Sequence, residues 1–366
     1  MMPAGRPIVN EGNRILAGLK AVILVGGLGT RLQPLTNDRP KSVLPVLNQP
    51  FMEYTFAYLR RFGIEDIILT INYLPDVIKS YLGDGSRYGV RLTYCYEAEP
   101  MGTAGAIKNA ENYLDGTFVA LNGDVFTDLD LDDMLELHRS KGAATTISLQ
   151  WVDDPSAFGV VETDSDRRVL RFIEKPPLAE ATTNWINAGI YILEPEVLRH
   201  VPVNTHYMVE RGLFPALLDM GEPVYGYQFS GYWLDMGTPL TYFNLNRDLL
   251  EKKTTTPLID TTGGDGGIHY GPDVTVHYSA RVTGPVLVGE RCHIGKGAFI
   301  TGPAVIGDDC YVGDNTVIAD AIIWNNTRAG AGASLNHCII GSDVEVEDEQ
   351  QIKDSVVTSS ATAQLK

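Results

Sequence analysis

Between Ala21 and Gln150 the chain alternates short apolar runs with amphipathic stretches. AVILV (21–25), DIILTI (66–71), RLTYCY (91–96), TFVALN (117–122) and ATTISLQ (144–150) have strand length and are rich in β-branched or aromatic residues. Between them, FMEYTFAYLRRFG follows Pro50 and stops at Gly63, the flanks that start and end a helix. Strands alternating with helices predict right-handed crossovers and a mostly parallel sheet. In such sheets ligands sit outside the carboxyl ends of the strands. From about Trp151 to Leu250 the pattern is mixed, with FGVVETD, RVLRFIEKP and NAGIYILEPEVL, and reads as a second wall on the same domain. KKTTTPLIDTTGGDGG (252–267) is polar, glycine-rich and aperiodic, which predicts a linker. Residues 1–19, broken by Gly, Pro and Asn, form an N-terminal extension.

Beyond the linker the period changes. Val276, Val282, Val288, Ile294, Ile300, Ile306, Val312 and Ile318 recur every sixth residue. Two positions before each of the last seven stands Ala280, Val286, Cys292, Ala298, Ala304, Cys310 or Thr316, and glycines follow at 289, 295, 307 and 313. A helix does not repeat every six residues, and an ordinary strand alternates every two. Hexapeptide repetition predicts a parallel β-helix over 268–358, with aliphatics stacked inward and glycines at the corners. The frame slips after Trp324 and resumes with Ile340, Val346 and Ile352.

Length and charge narrow the function. A chain of 366 residues is long enough for two domains. A net charge of −17 argues against a nucleic-acid partner, which needs a basic face, but allows a small anion in a cleft of focused cations. Four scattered cysteines form neither a zinc set nor a disulfide framework, and suit a reducing, cytoplasmic setting. No run approaches the roughly 20 apolar residues of a membrane span.

The chemistry concentrates in LVGGLGTRLQPLTNDRPKSVLPV (24–46). Gly26, Gly27 and Gly29 let backbone N–H groups approach a ligand, and Arg31 and Lys41 make that ligand an anion. The Walker A string is absent, and the third glycine of a dinucleotide fingerprint is replaced by Leu32. The residues alone leave a purely structural glycine turn open.

That stretch resembles the opening of the sugar-phosphate nucleotidyltransferases, or NDP-sugar pyrophosphorylases. EPMGTAGAIKNA (99–110), LNGDVF (121–126), FGVV (158–161), EKP (174–176), NAGIYIL (187–193) and YWLDMGTP (232–239) are similar to that family's later blocks, in the same order. With the hexapeptide tail, the resemblance covers nearly everything after Lys20. It implies an α/β fold: a Rossmann-like, mostly parallel sheet in a nucleotidyltransferase domain (20–251), then a left-handed parallel β-helix. It also implies attack by a sugar 1-phosphate oxygen on the α-phosphorus of a nucleoside triphosphate, with pyrophosphate leaving.

The attacking group is already an anion, so alignment and charge stabilisation suffice, and no Ser–His–Asp or Cys–His arrangement is found in the chain. By resemblance, the backbone at Gly26, Gly27, Gly29 and Thr30 cradles phosphates, while Gly102 and Thr103 join the nucleotide site. Arg31 and Lys41 hold the triphosphate, and Asp124 and Asp235 are the Mg²⁺ ligands. Gly159, Glu174, Lys175 and Asn187 form the sugar-phosphate site. Five residues before Gly102, where uridylyl and thymidylyl relatives carry glutamine, stands Glu97. A carboxylate offers only acceptors, which match the adjacent N1–H and N2–H donors of guanine better than a pyrimidine edge. The expectation is therefore GTP with mannose 1-phosphate, on the pattern of mannose-1-phosphate guanylyltransferases. Uridylyl or thymidylyl transfer to glucose 1-phosphate, or a non-catalytic NDP-sugar-binding regulator, are the alternatives. The β-helix is expected to build a homo-oligomer; His269, His277, His293 and His337 leave acyl transfer as a minor reading.

Overall fold

The computed structural model describes residues 16, 18–254, 256, 258 and 267–366. Most of the expected N-terminal extension and of the expected linker therefore lies outside the described residues. The apolar runs become a nine-stranded sheet. Its strands are β1 (Lys20–Leu24), β2 (Asp66–Ile71), β3 (Arg91–Tyr96), β4 (Phe118–Asn122), β5 (Thr145–Trp151), β6 (Gly159–Thr163), β7 (Val169–Glu174), β8 (Trp185–Leu193) and β9 (Val224–Phe229). The order is β7-β6-β8-β4-β1-β2-β3, with β5 also on β8 and β9 on β5.

Strands separated by helices, β4-β1-β2-β3, are parallel. β6 and β7 follow each other through a short turn, which permits only antiparallel pairing, and β8 is antiparallel to both β4 and β5. The mixed pattern of 151–250 is thus an extension of the same sheet. Side chains of β1 alternate across it: Ala21 and Ile23 pack with helix α1 (Phe51–Arg61), Val22 with helix α2 (Gly102–Asn109). The carboxyl ends of β1 and β4 lie side by side, Leu24 opposite Asn122. Both motif loops leave from there.

The tail is a parallel β-helix whose rungs stack in three rows. Val276, Ile294, Val312, Ala329 and Val346 form one row. Val282, Ile300, Ile318, Leu335 and Ile352 form the second. Val288, Ile306, Ile323, Ile340 and Val357 form the third. The frame slip has a simple cause. Equivalent residues are 18 apart in the first coils and 17 apart afterwards. Thr301-Gly302-Pro303-Ala304 turns one corner with two intervening residues, whereas Ala319-Asp320-Ala321 does so with one. Asp320, His337 and Asp354 each adopt φ of 47–49° at this shortened corner, a left-handed conformation that Asp and His tolerate. Ile323, not Trp324, therefore fills the third row. Ile294 is fully buried in this stack, so Ile294→Ala should cost about 2–5 kcal/mol, read as a lower urea midpoint of the β-helix transition.

Residues between the inward rungs face the first domain. Val305, Ile322, Trp324, Ile339 and Val356 are buried against Leu32, Leu35, Leu44, Val46 and Leu47, and against helix α3 (Pro239–Leu250). The strand 362–364 runs antiparallel on 351–357, and Leu365 enters the same shared core.

Candidate active site

Three glycines place the backbone of the 26–32 turn against its neighbours. A Cβ on Gly26 would lie 3.3 Å from Glu97 Oε1, and one on Gly27 would lie 3.4 Å from Lys41 Nζ. Gly29 adopts φ 63°, and its carbonyl accepts a 2.8 Å hydrogen bond from the buried Thr36 hydroxyl. Arg31 and Lys41 each sit on a short 3₁₀ turn, at Thr30–Leu32 and Lys41–Val43. Arg31 is largely exposed, whereas Lys41 is enclosed and donates to Asp124 Oδ2.

Gly123 carries its own reason: its N–H donates to Leu24 O at 2.9 Å, and a Cβ there would collide with that oxygen. The tight approach sets Asp124 beside the glycine turn. Asp235 arrives from 111 residues later through a small antiparallel ribbon, Val125–Thr127 with Trp233–Asp235, in which Asp235 pairs with Val125. Met236 N–H donates to Asp124 O at 2.9 Å, closing the ribbon. Burial, and then the facing Asp124 carboxylate, push the Asp235 carboxyl up to about 6, against the pull of Lys41 and Arg31. Arg31 Nη2 stands 3.9 Å from Asp235 Oδ2. Asp235 Oδ1 is buried without a hydrogen-bond partner among the described residues.

Glu174 and Lys175 form the other wall. Gly159 pairs with Glu174 across β6 and β7, and a Cβ on it would lie 3.0 Å from Glu174 Oε2. Lys175 adopts φ 50° and its ammonium is 3.7 Å from Glu174 Oε1. Asn187 donates to the Tyr191 hydroxyl at 2.9 Å and accepts from Gly189 N–H at 3.0 Å. At the end of the cleft beside Gly26, Glu97 is buried and its Oε2 accepts Met101 N–H at 3.0 Å, just before α2. Burial raises the Glu97 carboxyl. Gly102 opens α2 with φ 70° beneath the Tyr207 carbonyl, and Thr103 donates to Glu210 Oε2 at 3.0 Å.

A glycine turn, two cations and two opposed carboxylates thus meet at the ends of β1 and β4. A family model described as Nucleotidyl transferase matches residues 20–252. The chain belongs to the nucleotidyl transferase family. A second model, described as EIF2B subunit epsilon LbH domain, matches residues 265–363, which makes the tail a left-handed β-helix. The mannose-1-phosphate guanylyltransferase of Mycobacterium tuberculosis is 40% identical over 76% of this chain and 77% of its own. The UTP–glucose-1-phosphate uridylyltransferase of Synechocystis sp. is 33% identical over 95% of each chain. Among solved structures, HddC from Yersinia pseudotuberculosis complexed with GMP-PN superposes with a TM-score of 0.55 at 30% identity, covering 64% of this chain and all (100%) of that one.

Family membership makes the protein a sugar-1-phosphate nucleotidyltransferase, and two further side chains shape its cleft. Glu210, on a π-helical turn at Val209–Leu213, braces Thr103 from 107 residues away. Trp233 donates to Ala188 O at 2.8 Å, tying the Asp235 ribbon to β8. Trp233 lies in the YWLDMGTP motif (232–239), whereas Glu210 has no local sequence signal. Three of the tail histidines have separate local partners: His277 bonds Ser279, His293 stacks on Tyr311 and His337 pairs with Asp354.

Proposed function

We propose that this enzyme transfers the guanylyl group of GTP to mannose 1-phosphate, releasing pyrophosphate and forming GDP-mannose. The observation that carries the base choice is Glu97, a buried carboxylate beside Gly26 with one oxygen spent on Met101 N–H. The Thr70 hydroxyl also bonds this carboxylate, and its remaining lone pairs are the acceptors offered to guanine N–H donors. The guanylyltransferase relative and the structure solved with GMP-PN support the same choice.

In this reading the Gly26–Thr30 backbone seats the triphosphate, and Arg31 and Lys41 neutralise charge that grows on it. Glu174 accepts sugar hydroxyls, with Gly159 and Asn187 alongside, and Lys175 meets the sugar phosphate, aligning its oxygen with the α-phosphorus. Asp124 and Asp235 are the residues that would hold Mg²⁺. Two carboxylates, one with an orphaned buried oxygen, fit an ion that keeps waters and substrate phosphates as its remaining ligands. Bound there, Mg²⁺ supplies charge neutralisation and orientation of the phosphates. Retention of Arg31, Lys41, Asp124 and Asp235 in one cleft weighs against a non-catalytic regulator. The homo-oligomer built through the β-helix and the cytoplasmic setting belong to the same proposal.

The uridylyltransferase relative favours a second reading, UTP with glucose 1-phosphate. Pyrophosphate release across a matrix of nucleotides and sugar phosphates separates the two. Wild type should prefer GTP over UTP at least about tenfold, the size of one lost charged hydrogen bond, and Glu97→Gln should erase that preference. Equal or better use of UTP by wild type removes the guanine assignment.

A further inference from the structure

We propose that Trp324, on the β-helix, is a positioning residue for Lys41, so that the tail holds the phosphate-facing loop in its working place. The inference rests on the transfer reading above.

The segment from Gly29 to Asn48 carries both cations, yet pairs with no strand of the nine-stranded sheet among the described residues. Its backbone bonds are local, such as Leu32 N to Gly29 O, Leu35 N to Leu32 O and Leu44 N to Lys41 O. Its distance from Asp124 must therefore be set by side chains. One side of the segment presents Lys41 to Asp124. The opposite side buries Leu32, Leu35, Leu44, Val46 and Leu47 in the core shared with the β-helix.

Polar anchors fix where on the β-helix the segment lies. Asn48 Nδ2 donates to Ile306 O at 2.8 Å. Trp324 Nε1 donates to the Tyr242 hydroxyl at 2.9 Å, and that hydroxyl donates to Pro45 O. The Arg39 guanidinium lies over the Trp324 ring, 4.8 Å from its centroid. Arg39 is joined to Lys41 by Pro40 alone, whose ring fixes φ at −66°. That link has little slack, so a shift of Arg39 carries Lys41 with it. A misplacement of about 1 Å at a phosphate-binding cation is enough to cost up to about 100-fold in rate.

Steady-state pyrophosphate release by the full-length protein tests this with Trp324→Ala, Trp324→Phe, Arg39→Leu, Lys41→Gln and the Trp324→Ala/Lys41→Gln pair. Trp324→Ala and Arg39→Leu should each lower kcat about tenfold with both KM values within about twofold, the pattern of lost transition-state alignment. Trp324→Phe, which keeps a ring under Arg39, should restore most of the rate. In the Lys41→Gln background, Trp324→Ala should cost less than about twofold, because the group it positions is gone. Arg39→Leu approaches the contact from the catalytic side and serves if Trp324→Ala does not fold. An active wild type whose Trp324→Ala and Arg39→Leu variants keep full kcat overturns the positioning role. A tenfold loss that persists in the Lys41→Gln background overturns it too, leaving Trp324 as a docking residue only. A wild type that turns over no nucleotide–sugar phosphate pair overturns the transfer reading itself, and this inference with it.

Discussion

Asp235→Asn should abolish most activity while making the ligand-free protein more stable. Its carboxyl is pushed up to about 6 from 3.8, so ionising it at neutral pH costs more in the folded protein than in the unfolded chain, by a few kcal/mol. A raised folded pKa means that the folded protein binds more protons than the unfolded chain between about 4 and 6. Stability therefore falls as pH rises from about 4 to 6, the cost of the ionised carboxylate is complete above 6, and it fades as pH falls toward 4. Asn removes the charge without removing the shape. The melting temperature of ligand-free Asp235→Asn should rise by several degrees at pH 7.5, with the gain shrinking at pH 5. Activity should fall by about 10²–10³, the scale of one lost electrostatic group at a reacting phosphate. A variant that is less stable at pH 7.5 would show that Arg31 and Lys41 outweigh the repulsion from Asp124.

Lys41→Gln should cost about 10²–10³ in kcat/KM, because its ammonium is an enclosed cation beside the glycine turn, where we propose the triphosphate sits. Lys41→Arg should recover little. The planar guanidinium spreads its charge over a fork and does not reproduce the compact ammonium that Lys41 sets against Asp124. Steady-state kinetics on the three proteins decide the matter, and rates for Lys41→Gln within fivefold of wild type would remove Lys41 from the chemistry.

The parts of this architecture legible beforehand are those written in local pattern. Alternation of strand and helix foretold the parallel half-sheet, and six-residue recurrence foretold the β-helix, because each arises from neighbours in the chain. The motif blocks were readable only by resemblance: nothing local to Asp235 says that a two-stranded ribbon returns it to Asp124. What stayed hidden is long-range. Glu210 reaches Thr103, and Trp324 reaches Arg39 and Tyr242, through packing that leaves no periodic trace. The frame slip was visible but not its origin, since a corner shortened by one residue looks the same as a lost repeat.

The face that the β-helix turns to the catalytic domain has a consequence for assembly. Val305, Ile322, Ile339 and Val356 are near-equivalent side chains on successive coils, about 4.8 Å apart, so sliding by one coil would exchange like for like. An apolar ladder of that kind sets the plane of contact but not the vertical alignment. Alignment needs a singular step. Gly307, Trp324 and Gly341 follow the third-row rungs on consecutive coils, so the indole interrupts a column of glycines. With the Asn48 bond to Ile306 O, it acts as a tooth that tells the correct seating from its neighbours above and below.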